Sequence, residues 1–239
     1  MKFLDLTLPS PEENVALDEA LLEICEAGPD GEALRFWEPQ NYFVVLGLSN
    51  QVKTETRWQN CAEARLPVIR RSSGGGTVLQ GPGCLNYALA LRIDRDPALG
   101  QIISTNRYIL GKHAEALQKL LGLSVSFRGQ SDLALGEKKF SGNAQRRKRR
   151  AILFHGTFLT GMDFKQMERF LAFPSRQPDY RRARSHENFL ANLPVSAGQI
   201  KKALSRLWGA NGKTPSAPLE LSKELVLSRY SRDTWNFKR

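Results

Sequence analysis

Residues 70–77 read Arg70-Arg71-Ser72-Ser73-Gly74-Gly75-Gly76-Thr77. Three consecutive glycines fit neither a helix nor a strand, because glycine loses the most backbone entropy in regular structure. An apolar run precedes the stretch and Thr77 and Val78 follow it, so the sequence predicts a strand, a loop and a strand. The amides of such a loop can surround an anion, and an adjacent arginine can bind a carboxylate or phosphate with two parallel hydrogen bonds. Taken alone, the stretch fits a solvated turn equally well.

The composition is that of a globular protein with a basic surface. The 239 residues are 41% hydrophobic and 25% charged, and the formal net charge is +11. The three cysteines have no paired spacing, which fits a reducing compartment. The sequence shows no secretory leader and no apolar run of about 18 residues, so we expect a cytoplasmic protein without a membrane contact. The charge favours anionic partners, but the basic clusters 146–150 and 181–184 lack interleaved aromatic residues, and nucleic acid is not expected.

The order of elements predicts an α+β fold, a mixed sheet with helices on one or both faces. A capping box at residues 10–13 starts a first helix, and residues 102–121 have helical spacing. The apolar runs 33–37 and 43–48 are predicted to form a hairpin or meander, and 85–93 a buried strand. Further predicted elements are a polar helix at 53–65, strands at 125–127, 133–135, 138–144 and 151–160, and helices at 163–171, 196–208 and 219–230.

Domain boundaries are not evident in the sequence. Residues 172–194 are predicted to be irregular, and 209–218 have the Gly, Pro and Ser content of a linker. We expect a single domain over 1–239, in which 195–239 could form a small helical subdomain. Trp235 and Phe237 are expected to fold back onto the body of the protein.

A second stretch offers a cation beside an open backbone. It contains Ser131-Asp132-Leu133, then Lys139-Phe140-Ser141-Gly142-Asn143-Ala144, then His155-Gly156-Thr157. Together with residues 70–78, these motifs resemble in order and spacing the lipoate–protein ligase and octanoyltransferase family, which shares its fold with biotin protein ligases. Weaker similarity covers nearly the whole chain. The resemblance implies a biotin/lipoate ligase-like fold with a central mixed, largely antiparallel sheet, and a single catalytic domain.

The resemblance also implies a reaction. A ligase of this family joins lipoate and ATP into lipoyl-adenylate and passes the lipoyl group to a lysine of an acceptor domain. Adenylation brings a carboxylate and a triphosphate together, so cations and backbone donors must offset their repulsion. By the resemblance, Lys139 is the catalytic lysine that binds the carboxyl oxygen and the α-phosphate as a compact charge. A slip of one residue would give this role to Lys138.

Binding roles follow from the same resemblance. Mg²⁺ would shield the leaving pyrophosphate, with Asp132 as the nearest carboxylate. Trp37 would lie near the acyl chain, although its residue type alone predicts a core position, and His155 fits a ligand contact or a core histidine equally well. The predicted substrate- and nucleotide-binding residues are Arg71, Ser73, Gly75, Gly76, Thr77, Asp132, Ser141, Gly142, Asn143, Ala144, His155 and Gly156.

Cysteine positions separate the activities of this family. Its octanoyltransferases act through an acyl-cysteine, placed either just before the Ser-Asp segment or after the short helix that follows the His-Gly strand. Here those regions, 125–130 and 173–175, contain no thiol, and an unactivated serine is a far poorer nucleophile. We therefore expect a ligase. The alternatives are an octanoyl or lipoyl transferase that uses no ATP, and a non-catalytic binder of nucleic acid or acylated domains.

The expected partners follow from the implied reaction. They are lipoyl domains of 2-oxoacid dehydrogenase complexes or H-like proteins of glycine cleavage. Well-known bacterial ligases carry an accessory C-terminal domain of roughly a hundred further residues. This chain stops near the expected end of the catalytic domain, so a separate accessory-domain protein is a further expected partner. The cysteines are expected to be buried or neutral, and His113 and His186 to be structural or surface residues.

Overall fold

The computed structural model describes residues 1–211 and 217–238. Within them, ten strands form two sheets and helices pack against both. The strands are β1 (Lys2–Asp5), β2 (Ala33–Trp37), β3 (Phe43–Leu46), β4 (Val68–Arg70), β5 (Val78–Gln80), β6 (Cys84–Arg92), β7 (Val125–Arg128), β8 (Asp132–Leu135), β9 (Lys138–Arg147) and β10 (Ala151–Leu159). The helices are α1 (Pro11–Ala27), α2 (Val52–Glu55), α3 (Trp58–Glu63), α4 (Ile102–Leu121), α5 (Phe164–Phe170), α6 (His186–Phe189), α7 (Ala197–Trp208), α8 (Leu219–Leu225) and α9 (Asp233–Asn236).

The larger sheet carries the core. Its strand order is β1-β2-β6-β10-β9-β8-β7, with β1 parallel to β2 and the other neighbours antiparallel. Alternate residues of a strand point to opposite faces, so Ala88 and Ala90 of β6 pack towards α1 while Leu89 and Leu91 join the cluster that contains α4 and α7. Both faces of the central strands are therefore covered. The predicted mixed, largely antiparallel sheet flanked by helices is confirmed.

The second sheet was not predicted. It has the order β4-β3-β5, with β3 parallel to β4 and antiparallel to β5. The predicted hairpin or meander between residues 33–37 and 43–48 is therefore wrong, since β2 and β3 belong to different sheets. The reason is that β2 pairs along one edge with β1 and along the other with β6, which leaves no edge for β3.

Other predicted boundaries shift by a few residues. The predicted helix 53–65 is two short helices, α2 and α3, and the irregular region 172–194 contains α6. Strand β9 runs to Arg147, so only the end of the basic run 146–150 forms the turn before β10. The last predicted helix is α8 followed by a π-helical turn, Val226–Tyr230. Of the predicted linker 209–218, residues 212–216 lie outside the described residues.

Helix ends follow the local sequence closely. Ser10 Oγ accepts a hydrogen bond from the Glu13 amide and the Glu13 carboxylate accepts one from the Ser10 amide, so the predicted capping box is confirmed. Helix α4 ends at Gly122, whose φ of 66° is the left-handed conformation that favours glycine. No helix in the described part of the chain is long and apolar enough to cross a membrane.

The C-terminal segment packs back onto the smaller sheet, as predicted. The indole Nε1 of Trp235 donates to the backbone oxygen of Arg70 at 2.7 Å, and the ring of Phe237 meets Trp58 edge-on at 5.6 Å. Tyr230 is fully buried in a cluster with Val45 of β3 and other apolar side chains. On the opposite side, α7 joins the core cluster of the larger sheet. The single domain over 1–239 and the helical subdomain at 195–239 stay predictions.

Candidate functional site

The glycine-rich loop connects β4 to β5 and is anchored at its root by Arg70. This side chain is fully buried and connects separate segments of the chain through hydrogen bonds. Its guanidinium donates to carbonyl groups of two chain segments far apart in sequence. The acceptors are the backbone oxygens of Gly47, Leu48, Asn50, Trp235 and Asn236.

The Arg71 side chain stabilises the loop by donating hydrogen bonds to loop residues. Its Nη2 donates to the carbonyl oxygens of Gly74 at 2.6 Å and Gly76 at 2.8 Å, and its Nε donates to Ser73 Oγ at 3.0 Å. Burial lowers the pKa of the Arg71 guanidinium to about 10. Among the described residues no carboxylate forms an ion pair with Arg71. A buried cation without a protein counter-ion favours an anionic ligand at this loop.

The loop and strand β9 face each other directly. Gly75 is exposed and has a φ of 90°, a conformation that few residues other than glycine adopt. A Cβ atom at Gly75 would lie 2.9 Å from Arg71 Nη2 and 3.5 Å from Ala144 Cβ. The two predicted halves of the site are thus close together, and it is the positive φ of Gly75 and the nearby Arg71 guanidinium that favour glycine at this position.

Lys139 and Asp132 lie on neighbouring strands and form an ion pair. Lys139 Nζ is 2.7 Å from Asp132 Oδ1, and Tyr180 Oη donates to Asp132 Oδ2 at 2.9 Å. Burial and the Asp132 carboxylate raise the pKa of Tyr180, so its hydroxyl stays a donor. The lysine side chain lies over Gly142, where a Cβ atom would be 2.8 Å from Nζ. Glycine at this position therefore makes room for the lysine.

Other predicted binding residues have contacts within the protein. Asn143 Oδ1 accepts from Tyr87 Oη at 2.7 Å and its Nδ2 donates to the Ser131 oxygen at 2.8 Å. A Cβ atom at Gly156 would overlap Asn143 Oδ1, so this glycine is required by close packing. Ser141 is buried below the surface of β9 and Thr77 accepts from Asn50 Nδ2 at 3.2 Å. The ligand contacts of these residues stay predictions.

His155 lies at the site and not in the apolar core. Strand β10 places it on the same face as α1, between Ala88 of β6 and Ala144 of β9. Its Nε2 is 2.6 Å from Ser73 Oγ, and its Nδ1 is 3.6 Å from Asp18 Oδ2. The imidazole therefore joins the glycine-rich loop to the first helix.

Asp18 was missed by sequence reasoning. Its Oδ1 forms a 2.6 Å ion pair with Arg35, which is fully buried. The available signal is that Asn14, Asp18 and Glu19 interrupt the buried apolar residues of α1. Buried polar side chains need partners, so such an interruption predicts a polar site behind the helix.

Trp37 occupies a core position, as its residue type predicts. It is buried beside Phe43, with ring centroids 6.3 Å apart, and belongs to an apolar cluster that includes Val15, Ile69 and Tyr230. Its proximity to an acyl chain stays a prediction.

An open cavity of about 400 Å³ adjoins the loop. Two residues of the basic run 146–150, Arg146 and Lys148, contribute to it, whereas Arg147 turns away and donates to the carbonyl oxygen of Leu99 at 2.6 Å. The cavity therefore carries charges of both signs beside the glycine-rich loop, and Lys148 and Arg229 are paired with Glu23 and Glu19. Its lining residues are Glu19, Glu23, Leu48, Ser72, Arg146, Lys148, Arg229, Trp235 and Lys238.

The thiols take no part in this arrangement. Cys25, Cys61 and Cys84 are all buried, as predicted, and burial raises the pKa of Cys25 and Cys84 to about 12. His113 and His186 are buried structural residues, and in the described residues no group of three or more His, Cys, Asp or Glu side chains is arranged to hold a metal ion.

Comparisons with known proteins find relatives that match most of the chain. The octanoyltransferase LipM of Brevibacillus brevis is 27% identical over 267 residues, which cover 96% of this chain and 96% of that protein. The Aeropyrum pernix protein that carries the name lipoate-protein ligase A is 31% identical over 172 residues, 70% of this chain and 61% of the relative.

A solved structure shows the same fold. The bi-partite lipoate protein ligase of Thermoplasma acidophilum superposes with a TM-score of 0.83 at 24% identity, covering 99% of this chain and 95% of that one. Residues 10–204 also match the family described as the lipoyl protein ligase A/B catalytic domain. The motifs, the approach of the glycine-rich loop to strands β9 and β10, and this match over most of the length lead to one conclusion: the chain belongs to the lipoyl protein ligase A/B catalytic domain family and is an enzyme of the lipoate ligase and octanoyltransferase type.

Proposed function

We propose that this protein is an ATP-dependent lipoate–protein ligase. The observation that carries the proposal is a pair of cations on facing elements: Arg71 in the loop, buried without a protein carboxylate, and Lys139 on strand β9, whose Ala144 lies opposite Gly75. Two anions, a carboxylate and a triphosphate, must meet in adenylation, and fixed positive charge is the feature that brings them together. The Aeropyrum relative, which carries the name of a ligase, supports the same assignment.

Arg71, Lys139 and Asp132 have different roles in adenylation. Arg71 and the loop amides hold the lipoate carboxylate, whose oxygen attacks the α-phosphorus as the bond to pyrophosphate breaks. Lys139 turns from Asp132 to the carboxylate and α-phosphate and offsets the charge that develops between them. Asp132, fixed by Tyr180, holds the ammonium group near Gly142 before the substrates arrive.

Mg²⁺ would enter with the nucleotide. Mg²⁺ commonly takes one or two carboxylates together with substrate phosphates, so a dedicated protein cage is not needed. Asp132 fits as the protein ligand, because the departure of Lys139 would free its Oδ1 atom. Bound Mg²⁺ would neutralise charge on the leaving pyrophosphate.

The acceptor and the accessory partner are part of the proposal. The lipoyl group would pass to the amine of a lysine on a lipoyl domain or an H-like protein. The Thermoplasma enzyme with this fold is described as bi-partite, which supports a separate accessory-domain protein as a partner of this chain.

Lys139→Ala provides the test, with Lys138→Ala as the matched control, because Lys138 is the exposed neighbour on the same strand. The protein is incubated with ATP, Mg²⁺, lipoate and an apo lipoyl domain, and mass spectrometry measures lipoylation of the acceptor. We expect ATP-dependent lipoylation, a rate about 10²–10³-fold lower in Lys139→Ala, and little change in the control. Lipoylation that persists without ATP, or that Lys139→Ala leaves intact, contradicts the proposal.

The second candidate is an acyl transferase that needs no ATP. One observation favours it: the Brevibacillus octanoyltransferase matches this chain along 96% of both lengths. The buried cysteines, whose raised pKa keeps them protonated, argue against the acyl-cysteine route. Octanoyl transfer from a carrier thioester to the apo lipoyl domain without ATP would establish this activity.

A further inference from the structure

Both candidate activities end with the same chemical problem. The acceptor lysine must attack an acyl group as a free amine, yet an ordinary lysine has a pKa of about 10.4, and at pH 7 on the order of one in a thousand is unprotonated. The amide product carries two protons fewer than the ammonium group: one is lost to give the free amine and one as the amide forms. A group at the cleft that accepts the first of these protons would speed the step.

The carboxylates around the cleft are already engaged. Asp132 is bonded to Lys139 and Tyr180, one partner on each oxygen. Glu19 is bonded to Arg229 and Tyr230 in the same way. Imidazole is the side chain best suited to take up a proton near neutral pH, and His155 lies at the contact between the loop and α1.

The hydrogen bonds around Ser73 provide a route for a proton to reach His155. Arg71 Nε can only donate, so Ser73 Oγ accepts from it at 3.0 Å. The direction of the 2.6 Å hydrogen bond between Ser73 Oγ and His155 Nε2 depends on the tautomer of the ring; with the ring proton on Nδ1, the Ser73 hydroxyl donates to Nε2. Nδ1 faces Asp18 Oδ2 at 3.6 Å. This is the serine, histidine and carboxylate order in which a histidine acts as a base.

The charges around the ring favour this direction of transfer. Asp18 lies on the Nδ1 side and would stabilise an imidazolium ion, while Arg35 behind it fixes the carboxylate. On the sheet, the neighbours of His155 are the uncharged Ala88 and Ala144. Arg71 is separated from the ring by Ser73, and its position beside the Ser73 oxygen also favours a neutral amine over an ammonium ion.

We propose that Ser73, His155 and Asp18 form a proton relay for the attack of the acceptor lysine on the activated acyl group. This inference rests on the proposed function, since both candidate activities share the aminolysis step. The lysine nitrogen forms a bond to the acyl carbon and the bond from that carbon to AMP, or to the thiol of a carrier, breaks. The ammonium nitrogen gives one proton to Ser73 Oγ as Ser73 gives its own to His155 Nε2, and the resulting free amine makes the attack. The second proton leaves the nitrogen as the amide forms and goes to the leaving group or to water.

The relay is tested with a donor supplied ready-made. Synthetic lipoyl-adenylate and an apo lipoyl domain are mixed with wild type, His155→Gln, Ser73→Ala and the control Ser205→Ala, and single-turnover rates are measured between pH 6 and 10. Ser205 lies on α7, in contact with neither the loop nor β9. The same variants are assayed with hydroxylamine, which is unprotonated near neutral pH and needs no base.

We expect His155→Gln to slow transfer to lysine about 10²–10³-fold at pH 7. The difference from the wild-type rate should shrink as the pH approaches the pKa of free lysine. Ser73→Ala should show the same pH pattern, hydroxamate formation should fall far less, and Ser205→Ala should match wild type. Equal losses with both nucleophiles would show a merely structural role and overturn the relay. So would a lipoyl group found on Ser73 by mass spectrometry, because the serine would then be the nucleophile.

The ready-made donor separates this test from that of the proposed function. A wild type that makes no adenylate from ATP but acylates the lipoyl domain from synthetic adenylate, or from an octanoyl carrier thioester, refutes the ligase and leaves the relay to be judged on its variants. A wild type that uses neither donor overturns both.

Discussion

Arg35→Met tests whether the buried ion pair behind the site holds the first helix against the sheet. Arg35 is fully buried, and Asp18 is 4% exposed. The guanidinium donates to Asp18 Oδ1 at 2.6 Å, to the Asn14 backbone oxygen at 2.7 Å, to Asn14 Oδ1 at 2.7 Å and to the Leu6 oxygen at 3.0 Å. Methionine fills a similar volume but replaces none of these donors.

The expected loss of stability comes from the groups that Arg35→Met leaves without a hydrogen-bond donor. Asp18 would keep a charge that is buried without a partner, and breaking such a pair typically costs about 3–5 kcal/mol. We therefore expect the free energy of unfolding to decrease by about 3–5 kcal/mol. For a domain of this size the melting temperature should fall by about 6–20 °C.

Urea unfolding followed by circular dichroism measures the change. The matched control is Arg92→Met, which removes an exposed pair with Asp94 and should leave the midpoint nearly unchanged. The double variant Arg35→Met with Asp18→Leu should recover much of the lost stability, because it removes the buried carboxylate that Arg35→Met leaves without its guanidinium partner. A loss in Arg35→Met no larger than in the control, or no recovery in the double variant, would refute the reasoning.

Three further predictions concern other parts of the chain. Burial lowers the pKa of His113 to about 3. Between about pH 6.5 and pH 3 the unfolded state therefore binds a proton at His113 that the folded state does not bind. Stability should therefore fall by up to about 5 kcal/mol over this window, and His113→Gln should flatten that part of the acid unfolding curve. The three thiols should resist alkylation at pH 7 in the folded protein and react once it is unfolded in urea; rapid labelling of the native protein would contradict their burial. Gly156→Ala should lower stability by about 1–3 kcal/mol, because a Cβ atom would displace Asn143, and unchanged melting would show that Asn143 can move freely.

Local chemistry could be predicted from the sequence where a few adjacent residues decide the outcome. The capping box of α1 and the glycine after α4 appear in the structure where the sequence placed them. The strand–loop–strand unit around residues 70–77 was also predicted correctly. In each case the stabilising contact lies within one turn or one loop, so its residues are neighbours in the sequence.

Choices between distant partners could not be predicted in this way. Strands β2 and β3 satisfy every local rule for a hairpin, and only the presence of β1 and β6 on the two edges of β2 separates them. Asp18 meets His155 because α1 crosses β10, and no spacing in the sequence encodes a contact across 137 positions. The family motifs led to a set of predicted site residues, but they did not predict the hydrogen bond between Ser73 and His155.

The anchoring of Arg70 by Trp235 and Asn236 has a consequence for synthesis on the ribosome. A chain emerges from its N-terminus, and segments fold as their partners become available. The root of the glycine-rich loop obtains two of its carbonyl acceptors, and the amide of Arg70 its Asn236 acceptor, from residues made 165 or 166 positions later. A nascent chain therefore cannot complete the contacts that hold the start of the glycine-rich loop before Trp235 and Asn236 have left the exit tunnel.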